Sequence, residues 1–173
     1  MRYRIAIILA AAMAVLGLSA SGAFASTVPP GLTKVSCTAI DNFAYHVLTN
    51  DNHTVGIDYQ GTGSLTKVTT SPGDSTFDCV GGGTDYLDIH NNAGNCIRMR
   101  DASNNYTMIE EVGCVPSNTN YEFQAWFDNA TNRYEFQNIH FNKWLAVNCP
   151  PENGSQVLGV NNVSGTCVKW QLS

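Results

Sequence analysis

Charged residues are scarce in this sequence, and basic ones are the scarcest. Only 13% of its 173 residues are charged, with nine Lys and Arg against fourteen Asp and Glu, which gives a net charge of −5. Nucleic-acid binding requires clustered Lys and Arg, so we expect no nucleic-acid partner. With 43% apolar residues the chain is too hydrophobic to be disordered. Its length suits one domain with a substantial core.

Long hydrophobic runs are absent beyond the N-terminus. The chain begins with two arginines, an apolar run over 5–18 and an Ala-x-Ala cleavage motif ending at Ala25. This order is typical of a secretory signal peptide, and the run is short for a membrane span of about 20 residues. We therefore predict a signal peptide over 1–25, a secreted single domain over 26–173 and no membrane insertion.

Metal-binding cysteine patterns are absent as well. No Cys-x-x-Cys pair occurs, and no histidine stands at ligand spacing from a cysteine, so we expect no metal and no cofactor. An even number of cysteines in an exported chain predicts three disulfides. Six cysteines allow fifteen pairings, among which sequence alone does not choose. Two equal spacings of 18 residues favour these pairs: Cys96–Cys114, Cys149–Cys167 and, by elimination, Cys37–Cys79.

Enzyme signatures are also missing from the sequence. No H-E-x-x-H, G-x-S-x-G or glycine-rich phosphate loop occurs. Glu110 and Glu111 are adjacent in a predicted strand, and adjacent strand side chains point to opposite faces. They therefore cannot flank one bond as paired catalytic carboxylates do. We expect no catalytic activity.

What the sequence does contain is short apolar–polar alternation, interrupted by Asn, Gly, Asp and Pro. This pattern predicts an all-β chain with frequent turns. Four motifs recur three times in the same order, 42 to 48 residues apart. The three copies of the first motif are Phe43-Ala-Tyr45, Tyr86-Leu-Asp-Ile89 and Tyr134-Glu-Phe136, and those of the second are Val55-Gly-Ile57, Ile97-Arg-Met99 and Leu145-Ala-Val147. The third motif is an apolar pair, namely Leu65 with Val68, Ile109 with Val112 and Val157 with Val160. The three copies of the fourth are Phe77-Asp-Cys-Val80, Phe123-Gln-Ala-Trp126 and Cys167-Val-Lys-Trp170.

Three units of four strands predict one shared core, because a single unit cannot bury its apolar face alone. A closed barrel with capping hairpins leaves no long strand edge exposed. We therefore predict a disulfide-bonded β-trefoil whose three repeats of about 45 residues span approximately 35–84, 85–131 and 132–173. An immunoglobulin-like sandwich is the alternative all-β fold, and the threefold period disfavours it.

The apolar members of these motifs form the predicted core. Trp126, Trp144 and Trp170 are expected to be packing residues. Each then needs a partner for its indole N–H, because a buried indole normally donates a hydrogen bond.

The second repeat contains three further motifs in a fixed order. Gly94-Asn-Cys96-Ile-Arg-Met99 comes first, Cys114 follows, and Gln124-Ala-Trp126 closes the unit. This order resembles the repeat of the ricin B-type lectin family, which has C-L-D-V, a second Cys about 18 residues later, and Q-x-W. The closing Cys167-Val-Lys-Trp170 resembles the end of that family's last repeat. The resemblance implies a β-trefoil that binds an extracellular glycan or polysaccharide in shallow pockets, up to one per repeat.

Most positions that contact sugar in that family are replaced here. In the second repeat, Arg98 and Val112 stand at the family's carboxylate and stacking-aromatic positions. Phe123 stands before the Q-x-W glutamine, where the family tends to have Asn. In the third repeat, the carboxylate and aromatic positions hold Ala146 and Val160.

Two candidate sugar sites remain. In the first repeat, Asp58 and Tyr59 match the family's carboxylate and ring if the alignment is shifted by two residues; the alternative is that Asp58 ends a strand and starts the next turn. In the second repeat, Asp101, Asn104 and Tyr106 form either a polar–aromatic binding loop or an ordinary surface turn.

A second function also stays open. Trefoils of the Kunitz soybean type inhibit proteases through one rigid loop, and preorganised loops bind well because little entropy is left to lose. Ser71-Pro-Gly-Asp74 and Cys149-Pro-Pro-Glu152 are the proline-stiffened candidates, with plain turns as the alternative. The sequence thus predicts a secreted, lectin-like carbohydrate-binding protein, with a protein-binding trefoil such as a protease inhibitor as the alternative.

Overall fold

A computed structural model describes residues 29–40, 46–50, 55–102, 105–115, 118–161 and 166–173. The predicted signal peptide over 1–25, the motif over 43–45 and the candidate residue Asn104 lie outside the described residues. Within the described part, no helix has the length and apolar character that crossing a membrane requires.

The alternating pattern of the sequence produces strands throughout the described part. One helical turn, α1, spans Cys37–Ile40. The strands are β1 (Leu32–Val35), β2 (His46–Asn50), β3 (Gly56–Asp58), β4 (Lys67–Thr69), β5 (Asp74–Cys79), β6 (Leu87–His90), β7 (Asn95–Ala102), β8 (Asn105–Val112), β9 (Phe123–Asp128), β10 (Arg133–Asn138), β11 (Lys143–Val147), β12 (Val157–Val160) and β13 (Trp170–Leu172). Short 3-10 turns span Val80–Gly82 and Thr166–Val168.

Six of these strands close into a barrel. β2 pairs with β5, β5 with β6, β6 with β9, β9 with β10, β10 with β13, and β13 returns to β2, all antiparallel. They are the first and fourth strands of each four-strand unit. Because the barrel is closed, its strands leave no open edge for another chain to pair with.

The second and third strands of each unit form hairpins that cap the barrel: β3 with β4, β7 with β8, and β11 with β12. The hairpins also pair with one another through Leu65–Ile109, Lys67–Gln156 and Leu158–Thr107. A six-stranded barrel capped by three hairpins is a β-trefoil, as the repeats predicted. β1 is additional to the three units and pairs with β9.

The core fills the barrel and the space under the hairpins. Equivalent hairpin positions in the three repeats are fully buried, as the repeat period predicts: Ile57, Ile97 and Leu145. The barrel contributes large buried side chains: Phe77, Leu87, Phe123, Phe136 and Trp170. Each such side chain contributes about 1.5–3 kcal/mol when removed from water.

Three disulfides reinforce this core, and they are the pairs that the spacings favoured. The structure joins Cys37 to Cys79, Cys96 to Cys114 and Cys149 to Cys167. The first pair spans 42 residues and ties α1 to the end of β5. Because disulfides persist in oxidising compartments, their presence agrees with a location outside the cytosol.

Two residues that the motifs assigned to the core lie at the surface. Tyr86 is 40% exposed and Leu65 is 37% exposed. Tyr86 immediately precedes β6, whose inward side chains are Leu87 and Ile89. Since successive strand side chains face opposite sides, burying Leu87 turns its neighbour Tyr86 outward.

The tryptophans also divide into two environments. Trp170 is fully buried, and its indole N–H donates to the Leu145 carbonyl oxygen at 3.0 Å, as predicted. Trp126 is only partly buried, yet its indole nitrogen is inaccessible and has no hydrogen-bond partner among the described residues. The prediction of a partner for every indole is therefore wrong for Trp126.

Candidate functional site

The first predicted sugar site lies where β3 ends. Asp58 is the last residue of β3, and its carboxylate accepts a hydrogen bond from the Gln60 side-chain amide. The Tyr59 hydroxyl lies 2.8 Å from Oγ of Ser75, which is fully buried, and the ring packs against the core. Asp58 and Tyr59 are thus both engaged within the protein, and Tyr59 is held as a packing residue.

The second predicted site lies on the β7–β8 hairpin. Asp101 is exposed and stands directly across the hairpin from Tyr106, so the structure brings these two together. The Tyr106 ring contacts Phe141 at 5.4 Å between centroids, and Nζ of Lys143 lies 4.5 Å from its centroid. This cation–π contact covers one face of the ring that a sugar could otherwise stack on.

The third repeat forms a groove that lacks charged and aromatic side chains. A groove of about 230 Å³, here called the third-repeat groove, contains both replaced positions. Its lining residues are Ala146, Val147, Asn148, Cys149, Leu158, Val160, Cys167 and Val168. This lining contains no charged side chain and no aromatic ring among the described residues, so it offers no carboxylate and no stacking surface.

A further groove, of about 250 Å³, combines polar and aromatic side chains. It is here called the Tyr86 groove, and it is lined by Lys34, Tyr86, Gln124, Trp126, Gln137, Ile139 and Asn142. It forms where β1, the segment before β6, β9 and the β10–β11 turn meet. Its volume is below the roughly 300–1,000 Å³ of pockets for drug-sized ligands, so it can hold a single ring or a short branch of a larger ligand.

The rim of the Tyr86 groove carries one ion pair beside the exposed ring. Nζ of Lys34 lies 2.8 Å from Oδ1 of Asp85 and 5.8 Å from the Tyr86 ring centroid. Both charged side chains are about half exposed, so the pair contributes at most about 1 kcal/mol to stability. Its consequence is positional, because it places a paired cation and anion near the ring.

The floor of the Tyr86 groove contains polar atoms without partners. Gln124 is 4% exposed, and its Nε2 donates to the carbonyl oxygens of Val35 at 3.1 Å and Ala125 at 2.8 Å. Its Oε1, like the indole nitrogen of Trp126, has no partner among the described residues. A buried unpaired polar group costs about 1–3 kcal/mol. The floor therefore holds one unused acceptor and one unused donor.

One side of the groove is formed by a pair of amides. Nε2 of Gln137 donates to Oδ1 of Asn142 at 2.6 Å. Asn142 has a φ of 55°, a left-handed conformation that Asn tolerates better than most residues. The turn between β10 and β11 thus places a second amide against the groove.

None of the site residues predicted from the sequence lines this groove. Its lining comes from three distant parts of the chain, and Tyr86 was assigned to the core on its motif position. The available signal was the Q-x-W motif, since Gln124 and Trp126 both line the groove. Trp126 of that motif was expected to be a packing residue, and the motif as a whole supported the resemblance to the ricin B-type repeat.

Buried charges occur elsewhere in the barrel wall. Asp128 accepts a hydrogen bond from Nζ of Lys169 at 2.7 Å, and this bond, with further ones from Thr131 and the Ala130 backbone, lowers the pKa of Asp128 to about 2 against the cost of burial. Glu135 is 1% exposed, and burial raises its pKa to about 7 although Lys169 opposes the shift. Neither carboxylate lines a groove described above, so they act on stability.

Solved structures with the same fold resemble this chain at low identity. The designed threefold-symmetric protein ThreeFoil matches with a TM-score of 0.64 and 17% identity, over 74% of this chain and 96% of its own. A Polyporus squamosus lectin, solved with a human-type influenza-binding epitope, matches with a TM-score of 0.57 and 13% identity, over 75% and 48%. Chicken interleukin 1 beta matches with a TM-score of 0.57 and 10% identity, over 82% and 99%.

These similarities define the class of the protein as a β-trefoil and show the fold alone. No protein-family model matches the chain, and no curated protein matches it. Function must therefore be argued from the side chains of its own grooves.

Proposed function

We propose that this chain is a secreted, non-catalytic, lectin-like protein that binds an extracellular glycan or polysaccharide in the Tyr86 groove. One observation carries the proposal: the groove is lined by an exposed aromatic ring and by two side chains that each hold a buried polar atom without a partner among the described residues. The third-repeat groove has a similar volume and lacks these features.

The chemistry of a sugar ring fits this combination. One face of the ring presents C–H groups, which pack on an aromatic side chain such as Tyr86. Each hydroxyl both donates and accepts, so it can satisfy the Oε1 of Gln124 and the indole N–H of Trp126. These two atoms lie below the accessible surface, so contact requires a small movement of the floor or a bridging water.

Several independent features support a role outside the cell. The N-terminal segment has the pattern of a signal peptide, and three disulfides cross-link the domain.

Two resemblances support glycan as the ligand. The motifs of the second repeat resemble those of ricin B-type lectins, and a lectin is among the solved structures with this fold. Individually weak sugar sites gain strength by repetition on a polymeric glycan.

The two sites predicted from sequence remain alternative subsites. Asp58 with Tyr59, and Asp101 with Asn104 and Tyr106, would bind sugar only if Tyr59 or Lys143 moved from its present contacts. They therefore serve as comparison sites in the experiment that follows.

A glycan and polysaccharide screen of the purified protein tests the proposal. Tyr86→Ala should abolish or strongly weaken binding, and Tyr86→Phe should retain it because the ring remains. Leu65→Ala is the matched control, since Leu65 is a similarly exposed apolar side chain outside the groove. Binding lost in Asp58→Ala or Asp101→Ala and kept in Tyr86→Ala would move the site. No binding to any glycan would overturn the proposal.

One observation favours protease inhibition as a second candidate function. The segment 149–152 exposes Cys149, Pro150 and Glu152, while Pro151 is buried. It is anchored by the Cys149–Cys167 disulfide, and close by the Gly154 N–H donates to the Val68 carbonyl oxygen at 2.7 Å. A rigid exposed loop is what protease inhibition needs. Stoichiometric titration of a serine protease, abolished by replacing residues 150–152, would establish this function.

A further inference from the structure

Two aspartates and a histidine share the outer face of the β5–β6 sheet. Asp78 and Asp88 are direct cross-strand partners. His90 lies two residues beyond Asp88 on β6, so both side chains point to the same face. Like charges directly opposite each other destabilise a sheet. A cation bound at this face would reduce that repulsion.

The three side chains lie within reach of a single ion. Nε2 of His90 is 3.0 Å from Oδ2 of Asp78 and 4.0 Å from Oδ1 of Asp88. One ligand atom from each of the three residues lies within 4.8 Å of the other two. At zinc–ligand bonds of about 2.0–2.2 Å, an ion bridges atoms up to about 4 Å apart, so small side-chain movements suffice.

The orientation of the His90 ring supplies an independent argument. Its Nδ1 lies 3.0 Å from the Asn91 carbonyl oxygen. A carbonyl oxygen only accepts, so Nδ1 carries the hydrogen and Nε2 faces the two carboxylates. With Nδ1 bonded to the backbone, Nε2 is the ring nitrogen directed at the two carboxylates and so the one available to a metal ion. In metal-binding histidines, one ring nitrogen commonly forms a hydrogen bond to a backbone carbonyl oxygen, and this bond orients the other ring nitrogen toward the ion.

Space and further negative charge lie beside these ligands. A cavity of about 210 Å³ is lined by Asp78, Asp88 and Glu122, together with Val115 and Tyr121. Glu122 is 9% exposed. The cavity has room for water molecules to complete the coordination of an ion. Cys96 and Cys114 also approach Asp88, but they form a disulfide and supply no thiolate.

We propose that Asp78, Asp88 and His90 form a binding site for a divalent transition metal of the zinc class. One imidazole with carboxylate oxygens is a ligand set that zinc accepts. The ion would neutralise the facing aspartates and link β5 of the first repeat to β6 of the second. Sequence spacing gave no signal for this site, because cross-strand pairing brings together residues 10 to 12 positions apart. The site is independent of carbohydrate binding.

Isothermal titration of the metal-stripped protein with Zn²⁺ tests the proposal. We expect one ion per chain, with affinity reduced by about tenfold or more in His90→Ala and Asp88→Asn. His140→Ala is the matched histidine control, since His140 is exposed and bonds to Thr119 instead. Asp78→Asn and Asp74→Asn form a second matched pair on β5, in which only Asp78→Asn should weaken binding.

Thermal unfolding separates ligand loss from misfolding. Zn²⁺ should raise the Tm of the unaltered protein and of His140→Ala, and it should leave the Tm of a folded His90→Ala unchanged. Absence of zinc binding in the unaltered protein would overturn the proposal and leave the contact between His90 and Asp78 as a hydrogen bond within the protein. Zinc binding that is equally strong in His90→Ala and Asp78→Asn would also overturn it.

Discussion

The Tyr86 groove and the third-repeat groove are nearly equal in volume, at about 250 and 230 Å³, and differ in what lines them. The first has an exposed ring, three amide side chains, one indole side chain and an ion pair at its rim. The second is mostly aliphatic, and two of its lining residues, Ala146 and Val168, belong to a small buried apolar cluster. The trefoil backbone thus forms both grooves, and the side chains that line each groove determine whether it can bind a polar ligand.

The origin of the two grooves explains the difference. The third-repeat groove belongs to the repeating unit, at the positions where ricin B-type lectins carry their carboxylate and ring. The Tyr86 groove depends on β1, which is additional to the three units and brings Lys34 beside Asp85 and Tyr86. The polar and aromatic side chains that the third-repeat groove lacks are thus present where the extra strand joins the barrel.

The largest expected effect comes from opening the wall of the third-repeat groove. Replacing Cys149 and Cys167 by Ala should lower the free energy of unfolding by about 3 kcal/mol, because the disulfide closes a loop of 18 residues. Chemical denaturation measures this loss. Glycan binding by the folded variant should persist; if binding disappears while the variant remains folded, the third-repeat groove is the site.

The pH dependence of stability should come from Glu135, outside both grooves. Its pKa is about 7 in the folded chain and ordinarily 4.5, so between these values the folded state holds a proton that the unfolded state has lost. Stability should therefore fall as pH rises from about 4.5 to about 7, by at most roughly 3 kcal/mol. Glu135→Gln should flatten this slope without changing glycan affinity. An unchanged slope in denaturation series would contradict the assignment.

Removing the Tyr86 ring tests whether this side chain distinguishes the Tyr86 groove from the third-repeat groove. Tyr86→Ala should weaken glycan affinity about tenfold, equivalent to roughly 1.4 kcal/mol, with little change in stability because the side chain is already 40% exposed. Titration calorimetry with the strongest ligand measures it. Equal affinities for Tyr86→Ala and the unaltered protein would remove Tyr86 from the site.

The smallest effects are expected at the two sites predicted from sequence. Asp58→Ala and Asp101→Ala should each change glycan affinity less than about twofold, equivalent to roughly 0.4 kcal/mol. The reason is that Tyr59 is bonded to Ser75 and Tyr106 is covered by Lys143. A tenfold loss in either variant would transfer the binding role to that repeat.

Much of the fold followed from the sequence, because strand alternation and a repeat period are local signals. Ile57, Ile97 and Leu145 recur at equivalent positions and are all buried, and equal cysteine spacings matched the disulfides. Tyr86 was assigned wrongly, because one residue of register decides which face of a strand is buried.

The sites were harder to predict than the fold. The Tyr86 groove arises from pairing between distant segments, and the face shared by Asp78, Asp88 and His90 arises from the cross-strand register of two consecutive strands. Asp58 and Tyr59, which are neighbours in sequence, instead bond to Gln60 and Ser75. Neither outcome leaves a local signal in the chain.

The indole N–H resonances of the three tryptophans provide the most direct test of glycan binding in the Tyr86 groove. In the nitrogen–proton spectrum of the protein, Trp126→Phe identifies the Trp126 signal, and Trp170 provides a reference whose indole is bonded inside the core. Titration with the strongest glycan from the screen should shift the Trp126 signal and leave the Trp170 signal in place. Saturated binding with an unmoved Trp126 signal, together with shifts near Asp58 or Asp101, would contradict the account.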